Sequence, residues 1–372
     1  MEQTPQRGVA ALLSAAMLLV SVTFTMPRRP EREPAVSTGA WSEAACPEAM
    51  ETSGAVAGRR VIPVGRTVGI KLFSDGVLVV GLSDVQGTQK TRSPARAMGL
   101  KVGDVITHVN GKEVDTIEQV QTAIQTLAGR PMTLKVTRQD KQLQLSGSAA
   151  CNAQGGYQLG AWIRDSMAGI GTMTFYDPQS KTFGALGHGV NDVDTARLMT
   201  MQSGSILYST VNDVKKGCAG EPGELRGNFD AQRDLGQLYA NTDAGIFGTM
   251  EKPVTEAVQP VPVAARDEVR PGAAVILSNV AGEEVKEYQV DIVHVYPAQA
   301  GELRNLMLKV TDPQLLERTG GIVQGMSGSP ILQNGKLVGA VTHVLVNDPT
   351  RGYGIFIENM LEAAGQTKVK GN

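Results

Sequence analysis

The sequence predicts a mainly β protein, with two folded units behind an N-terminal apolar segment. Glycine contributes 43 of the 372 residues and aromatic residues only 4%, so the chain turns often. Beyond residue 149 the apolar runs are short and separated by glycines, the spacing of strands in a barrel or sandwich. Helical spacing of apolar residues surfaces at Ile117, Val120, Ala123, Ile124 and Leu127, and again from Ile357 to Ala364. Apolar content of 41% against 19% charged marks a globular chain, and its length suits two domains of ~100–200 residues each. A net charge of −2 supplies no electrostatic footprint for nucleic acid.

From Gly8 to Met26 the chain is uncharged and mostly Ala, Leu, Val and Met. That is close to the ~20 residues that span a bilayer. Residues 1–26 are therefore a signal or transmembrane segment, either cleaved or retained, since arginines flank both ends at Arg7 and at Arg28, Arg29 and Arg32. Residues 27–58, rich in Pro, Glu, Arg and Ser, read as a linker.

Residues 59–147 form the first folded unit. Apolar runs Val68–Leu72 and Gly76–Val80 precede Ser93-Pro94-Ala95, Gly99-Leu100, Gly103-Asp104-Val105-Ile106 and Val109-Asn110-Gly111, with the amphipathic helix next and the strand Met132–Thr137 last. That string resembles a PDZ domain. The resemblance implies peptide binding by strand addition at a sheet edge, on the loop and strand at Val68, Gly69, Ile70 and Lys71. His108, in a strand before a turn, is a surface histidine.

Residues 148–372 form the second unit, whose runs include Gln158–Ile163, Ile170–Tyr176, Phe183–Leu186, Ala274–Leu277, Tyr288–Val295 and Leu306–Val310. Its chemistry centres on Gly325-Met326-Ser327-Gly328-Ser329-Pro330, followed by Ile331-Leu332, an Asn334-Gly335 turn and Leu337–Val341. A serine between glycines, with a tight hairpin behind it, leaves room for backbone N–H groups at a substrate carbonyl. The amides of Gly325 and Ser327 are the candidate oxyanion hole. This loop resembles the nucleophile loop of chymotrypsin-like serine peptidases, which implies a β-barrel peptidase fold. A serine hydroxyl needs a base. His188 lies in Leu186-Gly187-His188-Gly189 at a strand end, as such barrels place their histidine, while His294 alternates with apolar residues in a strand. His343, one hairpin beyond the serine, is a candidate for the substrate pocket and the second choice of base. Asp312, between an apolar strand and the serine loop, is the candidate third member, with Asp192, Asp194, Asp243, Asp291 and Asp348 as rivals. Gly321 stands six positions before Ser327, where peptidases cutting after basic residues carry an acid.

Together, Leu186–Gly189, Asn241–Gly248, the serine loop and Thr342–Phe356 resemble the stage IV sporulation protein B peptidase family, which also carries a membrane segment followed by a PDZ domain. The resemblance implies a triad of His188, Asp312 and Ser327, with Thr342 and His343 on the adjacent strand. It further implies secretion from the forespore into the space between the two engulfment membranes. The resemblance also implies that cleavage there of the protein itself and of a membrane-bound regulator triggers activation of a late mother-cell sigma factor. Two other readings remain open, a non-catalytic PDZ adaptor and a general envelope quality-control protease, although the latter usually carries PDZ domains after the protease domain. No cofactor or metal is expected: Cys46, Cys151 and Cys218 are widely spaced, form no CxxC pair and allow at most one disulfide.

Overall fold

The computed structural model describes residues 58–87, 91–139, 141–252, 259–296 and 303–370. The apolar run Gly8–Met26, most of the linker and Cys46 lie outside the described residues. Among the described residues no helix is long and apolar enough to cross a membrane, and Cys151 and Cys218 are free and exposed.

After a short strand at Arg60–Pro63 comes a 16-residue strand, β1 (Thr67–Leu82). Helix α1 (Pro94–Met98) follows and ends at Gly99 in a left-handed turn (φ 83°). Strand β2 (Val105–Val109) leads to α2 (Ile117–Leu127), which starts in a capping box between Thr116 and Gln119. Strands β3 (Met132–Arg138) and β4 (Lys141–Gly147) complete a sheet in the order β1-β2-β3-β4. This is the PDZ unit. Its core holds Val77, Val79, Ile106, Val120, Leu134 and Val136.

A 17-residue strand, β5 (Ala161–Asp177), then runs back along β1 for its whole length, from Ala161 opposite Leu82 to Thr172 opposite Thr67. After it come β6 (Thr182–Ala185), β7 (Ser203–Lys215), β8 (Glu224–Thr242) and β9 (Gly245–Thr249). Pairings β1–β5, β5–β6, β6–β9, β9–β8, β8–β7 and β7–β1 close six strands into a ring around Ile70, Leu72, Met173, Phe183, Ile206 and Ile246. A second closed barrel follows, built from β10 (Gly272–Ser278), β11 (Lys286–Val295), β12 (Leu306–Val310), β13 (Pro330–Gln333), β14 (Lys336–Leu345) and β15 (Asp348–Phe356). Helix α3 (Pro313–Thr319) lies between β12 and β13, and α4 (Ile357–Lys370) ends the described chain. The seam between the barrels is filled by Phe175 and Phe247 from the first, Ala340 and Ile355 from the second, and Met360, Leu361 and Ala364 of α4.

Two expectations are corrected here. The boundary near residue 147 does not separate a PDZ unit from a peptidase unit. The first half of β1 (67–73) belongs to the barrel and the second half to the PDZ sheet, so the PDZ unit is inserted between two barrel strands. The apolar runs on either side of Ser74-Asp75-Gly76 look like two strands of a hairpin. The structure instead makes one strand with a bulge there, which the Ser74 hydroxyl ties to Asp165 O (3.1 Å) across the ladder. The second correction concerns Val68, Gly69, Ile70 and Lys71. These residues pair with Gly171–Ala168 on one edge and with Tyr208–Ser205 on the other. With both edges occupied they have no ladder groups left to offer a peptide.

A test follows. Ile70 is buried inside the first barrel (5% exposed), so Ile70→Asp is expected to unfold the barrel at a cost of about 3–5 kcal/mol. Chemical denaturation followed by circular dichroism measures it; an unchanged unfolding midpoint would contradict the placement.

Candidate active site

Ser327 stands where small residues and left-handed turns bring two barrels together. Gly325 and Gly328 both have φ 97°, a conformation that favours glycine, and a Cβ on Gly328 would sit 2.0 Å from Thr172 O. The loop is pinned to the hairpin behind it, with Gly328 N donating to Val341 O (2.7 Å) and Val341 N to Ser329 O (2.9 Å). That hairpin turns at Asn334 (φ 52°) and Gly335 (φ 73°), as an Asn-Gly pair does in a type I′ turn. Gly325 and Ser327 are partly exposed while Met326, Gly328 and Ser329 are buried, which leaves the hydroxyl at the surface of a fixed frame. Neither the Gly325 nor the Ser327 amide donates to a described residue. Both N–H groups stay open to a substrate oxyanion.

His188 reaches the same place from the first barrel. Leu186 (φ 70°) and Gly187 (φ 70°) follow β6, and Gly187 N donates to Ala185 O (2.9 Å). This is the strained γ-turn with positive φ at its centre, and a leucine there costs of order 1 kcal/mol. The turn fits because Gly187 has no side chain: a Cβ would lie 3.0 Å from Thr342 and Ile355 of the second barrel. Beyond it, His188 Nδ1 is 2.9 Å from Gly189 O. A carbonyl only accepts, so Nδ1 carries the proton and Nε2 keeps its lone pair. That is the tautomer a general base needs.

Thr172 joins the two loops. Its N–H donates to Ser327 O (2.9 Å), its hydroxyl to Gly325 O (2.7 Å), and its carbonyl accepts from Leu186 N (3.1 Å), two residues before the histidine. No sequence signal marks it, because a threonine in an apolar strand run is an ordinary strand residue. Asn241 was visible only as part of a resemblance. It holds the chain after His188, accepting from Val190 N (2.8 Å) and donating to Val190 O and Met199 O (both 2.9 Å).

The Ser327 hydroxyl donates to Thr342 O (2.6 Å), and the Thr342 hydroxyl donates to Tyr353 O (3.1 Å). Attack on a substrate needs the Ser327 hydroxyl to rotate off that carbonyl toward an imidazole, an adjustment common in substrate-free sites. The rings of His188 and His343 lie 5.0 Å apart. Burial pushes His188 below its ordinary value, opposed by its bond to Gly189. Burial also pushes His343 down to about 3, reinforced by His188 and by Arg304. Both imidazoles are neutral near pH 7.

The structure thus gathers Ser327, Gly325, Thr342, His343 and His188. It does not bring Asp312 to the histidine. Asp312 is the N-cap of α3, accepting from Gln314 N (2.9 Å), Leu315 N (3.0 Å) and Gln289 N (3.3 Å). Among the described residues no group of three or more His, Cys, Asp or Glu side chains could hold a metal ion.

This geometry, a serine loop and a histidine loop meeting between two six-stranded barrels, defines a serine peptidase with a PDZ unit. The chain belongs to the SpoIVB peptidase S55 family, whose model matches residues 155–361; a PDZ domain model matches residues 88–138. Among solved structures it is similar to the Rv3671c protease from M. tuberculosis in its active form (14% identity, 54% of this chain and 74% of that one, TM-score 0.31). It is also similar to the HtrA-type protease AlgW with a decapeptide (10% identity, 86% and 69%, TM-score 0.35). The PDZ domain of the SdrC-like protein from Listeria monocytogenes matches at 23% identity (24% and 87%, TM-score 0.20). A curated relative, the zinc metalloprotease RasP of Shouchella clausii, is 35% identical over 80 residues, 19% of each chain. The match therefore spans about a fifth of that relative.

Two outcomes test the site. Thr172→Val keeps the shape but leaves the Gly325 carbonyl without its donor. It is expected to cost about 1–3 kcal/mol of stability and to lower kcat more than it changes KM, measured by thermal melts and steady-state kinetics. The second concerns pH. The unfolded His343 imidazole gains a proton near 6.5 and the folded one does not, so its contribution is fully present above that pH. It is lost as pH falls from 6.5 toward about 3, and denaturation titrations should show His343→Gln flattening that decline.

Proposed function

We propose that this protein is a membrane-targeted signalling endopeptidase of endospore formation. In this reading it is secreted from the forespore, acts between the two engulfment membranes, and cleaves itself and a membrane-bound regulator. That cleavage leads to activation of a late mother-cell sigma factor. Family membership supports the reading, together with the apolar segment before the folded part. The observation that carries the chemistry is the meeting of Ser327 and His188 across the barrel seam, bridged by Thr172.

The steps follow from the positions of the groups. The substrate carbonyl lies against the free Gly325 and Ser327 amides. Ser327 Oγ attacks its carbon while His188 Nε2 takes the hydroxyl proton, and the carbonyl oxygen becomes an oxyanion held by the two N–H groups. His188 then hands the proton to the leaving amine. A water molecule repeats the sequence to release the acyl group. Thr342 and His343, on the neighbouring strand, line the substrate's approach.

Ser327→Ala is expected to leave the fold intact and to lower self-cleavage of the full chain by roughly 10⁴–10⁶. Mass spectrometry of the purified chain over time reads this out, and an alanine variant that processes itself at the wild-type rate would sink the assignment. A wild-type protein that neither processes itself nor labels with a fluorophosphonate would favour the adaptor reading.

A further inference from the structure

Two histidines from different barrels stand side by side at this site, and proton transfer uses only one of them. The ring centres of His188 and His343 are 5.0 Å apart, with the planes tilted by 38°. A zinc ion bonded to an imidazole nitrogen at ~2.0 Å lies about 3.2 Å from the centre of that ring, so two rings meeting one ion at a tetrahedral angle have centres about 5 Å apart. The pair has that separation. The other two histidines are engaged elsewhere, His108 with the Thr107 hydroxyl (3.1 Å) and His294 with the Tyr296 ring.

Each imidazole also has a nitrogen to offer. His188 Nδ1 donates to Gly189 O, the kind of outer contact that fixes the tautomer of a metal-binding histidine, and the Nε2 lone pair is left over. The His343 ring has no hydrogen-bond partner among the described residues, and the side chain is exposed. Both rings are neutral near pH 7, so neither must release a proton to take up a cation. Two factors work against tight binding. Arg304 acts on His343 as a like charge would on any cation there, and two neutral protein ligands fall short of the three or four of a resident zinc site. An ion held this way exchanges.

We propose that His188 and His343 together form a reversible site for a divalent cation of the zinc class, with water in the remaining positions, whose occupancy holds the peptidase off. The inhibition rests on the peptidase reading above; the binding does not. The ion takes the Nε2 lone pair that must otherwise accept the Ser327 proton. General-base catalysis therefore stops until the ion leaves, and no covalent bond of the chain changes.

The experiment titrates zinc and cobalt into the full chain carrying Ser327→Ala, with Cys46, Cys151 and Cys218 changed to serine so that no thiol competes. Calorimetry is expected to give one ion per chain, and bound cobalt to show the visible absorption of a tetrahedral centre. His188→Gln and His343→Gln should each weaken binding about tenfold or more, with circular dichroism confirming that both fold. His294→Gln should leave binding unchanged, and Arg304→Met, which removes a repelling charge, should tighten it. In the same chain with Ser327 restored, zinc should lower turnover of fluorescein-labelled casein with the same midpoint, and EDTA should restore it. Binding that survives either His188→Gln or His343→Gln undiminished, or that weakens in Arg304→Met, overturns the site. Binding that leaves casein turnover untouched overturns the inhibition. A protein without casein turnover, whose zinc binding still needs both histidines, would overturn the peptidase reading and leave the metal site standing.

Discussion

Everything chemical in this molecule depends on Thr172, where a single residue makes three hydrogen bonds to two loops from different barrels. Its N–H and hydroxyl hold the Ser327 loop, and its carbonyl holds the turn that delivers His188. The contact is buried, so each of these groups would be costly to leave unmade, and the low dielectric around them strengthens all three. The strained turn at Leu186 persists because this anchor and the contact of Gly187 with Thr342 and Ile355 over-determine it. The site is therefore a property of the seam. Either barrel alone would supply half of the chemistry and no geometry.

The pattern of glycines follows from the same constraint. Gly328 packs on Thr172 and Leu186, Gly187 on Thr342 and Ile355, and Gly189 on Thr242. At each contact a main chain presses against another segment with no room for a side chain. Larger residues on either side, such as Phe175, Phe247 and Met360, fill the remaining volume.

Local chemistry was legible in the sequence. The Asn334-Gly335 turn, the serine between glycines, the glycine-flanked His188 and the amphipathic α2 each carry a signal within a few residues, and the structure contains each of these elements. What was not legible depends on distant pairing. Nothing local tells Val68–Lys71 that β5 and β7 will occupy both of its edges, and the Ser74-Asp75-Gly76 segment reads as a turn when it is a bulge. Asp312 looked like a reactive acid for the same local reason that makes it a helix cap: an aspartate before a proline starts a helix well. Thr172 was invisible because its role depends on contacts with residues more than 150 positions away.

The insertion of the PDZ unit has a consequence of a different kind. Strands β1 and β5 pass unbroken from the barrel into the PDZ sheet, and each spans about 55 Å at ~3.3 Å per residue. Phe73 and Ser166 face each other where the strands leave the barrel. In topological terms the PDZ unit is an enlarged hairpin loop: the barrel would close equally well with a short turn joining those two residues. The PDZ unit and the catalytic loops are thus carried on one pair of rails. A twist imposed at the far end reaches the strand that bears Thr172 without crossing any flexible joint.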